Sequence, residues 1–145
     1  MLKNRFVFIA LFVVVFSLSA GTVLAEGNSK QKSSPFLITG KMPHLTKLLM
    51  QQWDNTELHL TDEQKAKLLV IRKETIGGVQ QFGKEITVLE NQVAEGSLEG
   101  KSPEELQSLV GQIEKLKGAA TMLHLRCIYK TSKILNQQQL AVLKK

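Results

Sequence analysis

Residues 102–127, SPEELQSLVGQIEKLKGAATMLHLRC, carry a helical pattern from its start signal to its end. Ser102-Pro103-Glu104-Glu105 opens a helix, with Pro103 at the first helical position, where a missing N–H costs nothing. Leu106, Leu109, Ile113, Leu116, Ala120, Leu123 and Cys127 then recur at alternating spacings of three and four. Upstream, Val79, Phe82, Ile86, Leu89 and Val93 do the same, so the two stretches read as the seam of two paired helices. Between them Glu95 to Lys101 (EGSLEGK), with two glycines, is the expected turn. The arms, 62–94 and 103–134, are nearly equal, each about 50 Å long. Gly77-Gly78 and Gly83 interrupt the first at a cost of roughly 1 kcal/mol each relative to alanine, which predicts a bend.

Both outer ends of this pair carry the same signal. In Leu60-Thr61-Asp62-Glu63-Gln64, Thr61 can cap a helix while Gln64 reaches back to cap it reciprocally. Leu135-Asn136-Gln137-Gln138-Gln139 repeats the arrangement, with Asn136 as cap and Gln139 as partner. In antiparallel arms of equal length, residues whose numbers sum to about 197 lie level. Thr61 and Asn136 are then neighbours, and the two boxes sit side by side at the open end. There Leu68, Leu69, Val70 and Ile71 on one arm, and Leu123, Leu125, Ile128, Ile134 and Leu135 on the other, spread apolar surface around both helices. A short helix over Leu45–Trp53, with Leu45, Leu48, Leu49 and Trp53 on one side, and another after Asn136 can cover part of it. A second copy covers the rest. The fold class is therefore all-α: a long antiparallel helical hairpin with short flanking helices, dimerised.

Residues 1–25 read as an export signal, with Lys3 and Arg5, an apolar run from Phe6 to Ala20, and the small-residue site Val23-Leu24-Ala25. The run is shorter than the ~20 residues that span a bilayer. The mature chain is expected to begin near Glu26, outside the cytoplasm and its ATP, and the absence of a following cysteine argues against a lipoprotein. Residues 26–41 (EGNSKQKSSPFLITGK) read as a flexible N-terminal arm, and 42–145 as one helical domain. The full chain carries +6; removing Lys3 and Arg5 from its 19 basic residues leaves 17 against 13 acidic, a net +4. That excess favours acidic or unfolded partners, and nucleic acid is not expected outside the cytoplasm. One cysteine cannot build an internal disulfide framework.

Paired motifs of this kind, at the two ends of a helical hairpin behind an export signal, resemble the Spy/CpxP family of periplasmic proteins, defined by two LTxxQ motifs. The first matches at Leu60, Thr61 and Gln64. The second matches at Leu135 and Gln139 and has Asn136 where the family has Thr, an equally good cap. The resemblance covers Met42 to Lys145. It implies four helices per subunit, dimerised into a thin cradle, and a periplasmic ATP-independent chaperone or envelope-stress adaptor that holds unfolded or misfolded envelope proteins on a basic and apolar concave face. Lys65, Arg72, Lys73, Lys84, Lys115, Lys117, Arg126, Lys130 and Lys133, mixed with Val79, Phe82 and Ile128, are the ingredients. Lysine and arginine attract unfolded segments at long range, and modest apolar patches hold them without locking them in. Family members also include a repressor of an envelope-stress sensor kinase, which makes the periplasmic domain of such a kinase a further partner.

The same resemblance brings an alternative, a sensor or regulator of zinc, nickel, cobalt or copper. His124 and Cys127 share a helix face three residues apart, His59 stands near the motifs, and His44 can join if the first short helix folds back. Read without metal, Cys127 is a small apolar seam residue and His124 a helix-surface residue. Met42, Met50 and Met122 read as core fillers. No phosphate loop, no HExxH and no ordered nucleophile with His and carboxylate occurs, and Glu104-Glu105 suits a helix start. The expectation is a non-enzyme without a cofactor.

Overall fold

In the computed structural model, residues 34–143 are described; the export segment, its cleavage site and the first part of the arm lie outside them. The described residues form helices α1 (Leu45–Gln51), α2 (Asp62–Leu98), α3 (Pro103–Ile134) and α4 (Gln137–Leu143), with a 3₁₀ turn at Thr56–Leu58 and no strand. None of these helices is long and apolar enough to cross a membrane.

Two long helices pack on each other, and their contacts run in opposite order. Gln64 meets Ile134, Gly78 meets Leu123, Glu90 meets Lys117, and Gly96 meets Leu106. Paired numbers sum to roughly 200, a little above the expected register, because α2 runs on past Ala94. A two-helix layer can bury only one stripe of each helix. Along it Ile86, Leu106, Ala120 and Cys127 are buried, and Val79, Phe82, Leu89, Val93, Leu109, Ile113, Leu116 and Leu123 are half-buried.

The turn differs from its expected span. Gly96 stays helical and buried, because a Cβ there would stand 2.8 Å from Leu106 Cδ2 and 3.0 Å from Lys101 Cδ; its bare backbone admits the other helix. Gly100 turns the chain, with φ +84°. Its N–H donates to the Ser97 carbonyl (3.2 Å) and the Lys101 N–H to the Gly96 carbonyl (3.0 Å), the paired bonds of a glycine C-terminal cap. α1 also stops early, at Gln51, since the next residue, Gln52, bonds back to both Leu48 and Leu49 and Asn55 closes a turn on Gln52.

α2 is continuous through Gly77, Gly78 and Gly83. A Cβ at Gly78 would lie 2.5 Å from Leu123 Cδ2, so that glycine serves close packing, whereas Gly77 faces open space. Gly77→Ala is therefore expected to raise the unfolding free energy by about 1 kcal/mol in urea titrations. Gly100→Ala, which forces a Cβ into the left-handed region, is expected to lower it by about 1 kcal/mol. The opposite signs test the assignment of the turn.

The closed core sits at the far end from this turn. Leu49, Leu58, Leu68, Leu135 and Leu143 are buried together, with Leu48, Trp53, Leu60, Ile134, Leu140 and Val142 packed around them. Thus α1, the 3₁₀ turn and α4 cap the open end of the long pair, as the spread of apolar residues there requires. Leu69, Val70 and Leu125 remain 46%, 56% and 39% exposed. Met50 and Met122, expected in the core, are also exposed, because each lies outside the stripe its helix buries.

Candidate functional site

At the capped end the two repeated motifs meet. The Gln64 N–H donates to Thr61 Oγ1 (3.1 Å) and the Thr61 N–H to Gln64 Oε1 (3.1 Å). Gln139 and Asn136 reproduce the box, at 2.8 and 3.0 Å. The two glutamine amides then bond to each other, each Nε2 donating to the other's Oε1 at 3.1 Å. Gln64 Nε2 also donates to the Ile134 carbonyl (2.9 Å), an acceptor left over at the end of α3, and Gln139 Nε2 to the Leu58 carbonyl (2.9 Å). Every donor and acceptor of both amides is used, which fixes their orientation. Leu60 and Leu135 flank this knot and pack in the core. The motif is therefore a clasp that ties the first turn of α2, the end of α3, the 3₁₀ turn and α4 together, and its polar atoms are consumed in holding the fold.

A second cluster lies midway along α3. Residues 34–41, the described part of the arm expected to be flexible, form together with Met42 and Pro43 a strap that docks there. The Leu37 N–H donates to Thr121 Oγ1 (2.9 Å), Pro35 approaches Gly83, and Leu37 lies beside Gly118. His124 is buried beneath the strap rather than lying on the helix surface, with 5% of its area exposed. The His44 ring stacks on it at 4.6 Å and 19°, and Phe36 tilts against it at 5.1 Å. Its Nδ1 has no hydrogen-bond partner. Burial, then the neighbouring His44 charge, push the His124 pKa below its ordinary value, opposed by a bond to the Pro43 backbone. Cys127, buried as the seam predicts, has Thr46 Oγ1 3.9 Å from its sulfur.

Of the four metal-ligand candidates, the fold thus brings His44 to His124 and leaves Cys127 one turn on, while His59 is exposed at the clasp end, in a left-handed conformation. An imidazole binds a metal in its ring plane at about 2 Å. Two nearly parallel rings 4.6 Å apart aim their lone pairs along side-by-side lines, and these converge on one ion only after a ring turns. Among the described residues no three His, Cys, Asp or Glu side chains cluster as a metal site.

The expected client-binding residues fall into several groups. Val79 and Phe82 are half-buried along the seam, and Ile128 is half-buried too. Lys117 bonds Glu90 at 2.7 Å, and Lys65 lies over Trp53 at 5.8 Å. Lys84 is exposed on α2. Arg72 and Lys73 line a shallow groove of about 450 Å³ on α2 with Leu69, Ile76, Gly77 and Gln80, and no carboxylate lines it among the described residues. On α3, exposed Arg126, Lys130 and Lys133 interleave with Met122 (48% exposed), Leu125 and Tyr129 (64%), and the Lys133 ammonium lies 5.4 Å from the Tyr129 ring. Ile76, Met122 and Tyr129 were missed as partners of these cations. They lie off the three-and-four seam, and being apolar on the outward side was the signal that could have found them.

Two further shallow grooves run along the join of α2 and α3. Glu85, Val88 and Leu89 face Gln112, Lys115 and Leu116 in one of about 500 Å³. Ala66, Lys67, Val70, Ile71 and Glu74 face Lys130 and Ile134 in the other, of about 440 Å³. No family model, no curated protein and no solved structure matches this chain.

Proposed function

We propose that the protein is a periplasmic, ATP-independent chaperone or envelope-stress adaptor of the Spy/CpxP type, acting as a cradle-shaped dimer that shields unfolded segments of envelope proteins. The observation that supports it is the outward pairing of cations with aliphatic and aromatic side chains: Arg72 and Lys73 with Leu69 and Ile76, and Arg126 and Lys133 with Met122, Leu125 and Tyr129. Positive charge draws in an unfolded acidic or neutral segment, and isolated apolar residues hold it weakly enough to let go. Such patches are open and shallow, which suits a chain with no fixed shape.

The purified protein is expected to suppress light scattering by a chemically unfolded client near stoichiometric amounts, with weaker capture at high salt. Arg72→Glu with Lys73→Glu should raise the amount needed by roughly 10-fold, since two attractive charges become repulsive. No suppression at several-fold excess would sink the reading.

One observation favours a heavy-metal regulator instead, the approach of His44 to the unpartnered His124 Nδ1. Calorimetric titration with zinc, nickel, cobalt and copper, beside a His124→Ala/Cys127→Ala variant, tests it. Submillimolar binding that the variant loses would favour the metal reading, and millimolar-only binding would end it.

A further inference from the structure

The strap crosses the long pair where each helix lacks a side chain. Gly83 on α2 and Gly118 on α3 stand level, because their numbers sum to about 200 as those of the observed contacts do. A Cβ on Gly83 would lie 3.9 Å from Pro35 Cβ, and one on Gly118 3.9 Å from Leu37 Cδ1. The strap thus lies where a methyl group would just touch it and a longer side chain would collide with it. Thr121, 6% exposed, supplies the polar contact. Its O–H donates to the Lys117 carbonyl (2.7 Å), which leaves an oxygen lone pair to accept the Leu37 N–H (2.9 Å). Every residue except proline offers that donor. Phe36 adds a ring against His124 at 5.1 Å. Such a notch reads a backbone N–H flanked by apolar side chains, whatever their order.

Pro35-Phe36-Leu37-Ile38 is an apolar run in an arm otherwise rich in Ser, Lys and Gly. Runs of this kind are mostly buried in folded proteins and exposed in unfolded ones. The strap is nevertheless thinly held: Leu37 and Ile38 remain 56% and 46% exposed, and Thr39, Gly40 and Lys41 are exposed as well. The cationic and apolar patches lie on the same helix faces as the notch. Ile76 and Arg72 stand seven and eleven residues before Gly83, and Met122, Leu125 and Tyr129 stand four, seven and eleven beyond Gly118. Those spacings keep each set on one face of its helix.

We infer that the glycine notch is a binding site for unfolded polypeptide, and that residues 34–39 are its resident occupant, which a client segment of the same character replaces. This rests on the proposed chaperone reading and names the segment class: a short apolar run, aliphatic beside aromatic or proline, with a free backbone N–H. A tethered occupant competes at high local concentration. It covers the notch when no client is present, and it gives way to a segment that fills the notch and also reaches the cationic patches on the same faces.

A disulfide that pins the strap tests this. Pro35→Cys with Gly83→Cys sets two Cβ atoms 3.9 Å apart, within the ~3.5–4.5 Å that a disulfide spans, and Cys127→Ala removes the native thiol. Light scattering by a cysteine-free, chemically unfolded client then reads capture by one protein, first oxidised and then reduced. The oxidised form should need ~10-fold more protein than the reduced form. Gly83→Gln with Gly118→Gln separates a shared site from a mere cover. Two helix-favouring side chains fill the notch and displace the strap, so the Leu37 amide resonance should move to a free-chain position while capture weakens by ~10-fold. Equal capture in the two redox states, or unchanged or better capture with the notch filled, would overturn the inference and leave the chaperone reading standing. A disulfide that does not form in air would place the strap elsewhere and overturn it too. No capture by the wild-type protein would instead end the chaperone reading, and the client site with it.

Discussion

Gln139→Ala should lower the unfolding free energy by about 3 kcal/mol in urea titrations. The side chain is 5% exposed; its Oε1 accepts from the Asn136 backbone N–H and from Gln64 Nε2, and its Nε2 donates to Gln64 Oε1, to the Leu58 carbonyl and, at 3.5 Å, to the His59 carbonyl. Truncation strands the Leu58 carbonyl inside the core, next to a residue with no exposed area, and removes the reciprocal half of the α4 cap. Thr61→Ala, an exposed cap whose loss water can offset, should cost only about 1 kcal/mol. Gln139→Glu separates the two roles. A carboxylate can still accept from the Asn136 N–H, but it places a lone pair against the Leu58 carbonyl and against Gln64 Oε1, so it should destabilise nearly as much as alanine. Because Gln64 and Gln139 share bonds, Gln64→Ala and Gln139→Ala should be less than additive, with a coupling of ~1 kcal/mol or more in a double-mutant cycle. Strict additivity would mean that the clasp is two independent caps, and an effect under 1 kcal/mol for Gln139→Ala that it carries no weight.

The clasp was legible because capping is local chemistry read from five residues, and equal arm lengths then bring both boxes to one place. Its cross-bonds were not, since which carbonyl a glutamine finds depends on where the 3₁₀ turn sits. Helix type and pairing followed from the seam, and every seam residue quoted from the sequence is buried or half-buried. Gly96 misled because a glycine near a helix end signals a stop and a close approach equally well; only the Leu106 contact separates them. The strap was missed for a different reason. Ser-, Lys- and Gly-rich sequence lacks periodicity, and its anchors, Pro35, Phe36, Leu37 and His44, are too irregularly spaced to announce a face. With the strap hidden, His124 had no visible cover, which is why it reads as a surface residue in sequence and lies buried in the fold.

That burial makes the strap sensitive to acid. Desolvation and the His44 charge hold the His124 pKa below its ordinary value of 6.5, so the docked form takes up a proton less readily than the undocked form. Docking is then fully favourable above the ordinary value and is weakened as pH falls below it, because protons bind preferentially to the released state. Surroundings from every side point the same way. The strap and the head of α1 offer Phe36, Ile38, Thr39, Met42 and the like-charged His44, with no carboxylate among the cavity residues. On α2, Arg72 and Lys73 face their own groove, and Glu74 lines the one shared with Lys130. Lys47 on α1 is exposed. Among the described residues that line this cavity, none is a carboxylate that could stabilise an imidazolium. Lowering the pH from 7.5 to 5.5 should therefore shift the Leu37 and Phe36 amide resonances toward positions of a free chain, as the Leu37 bond to Thr121 opens, while Gln64 and Gln139 at the clasp stay fixed. His124→Phe keeps a ring beside Phe36 and His44 but cannot take a proton, and should hold the strap docked across that range. An unchanged Leu37 signal in the native protein, or an equal shift in His124→Phe, would assign the acid response elsewhere and leave His124 as packing alone.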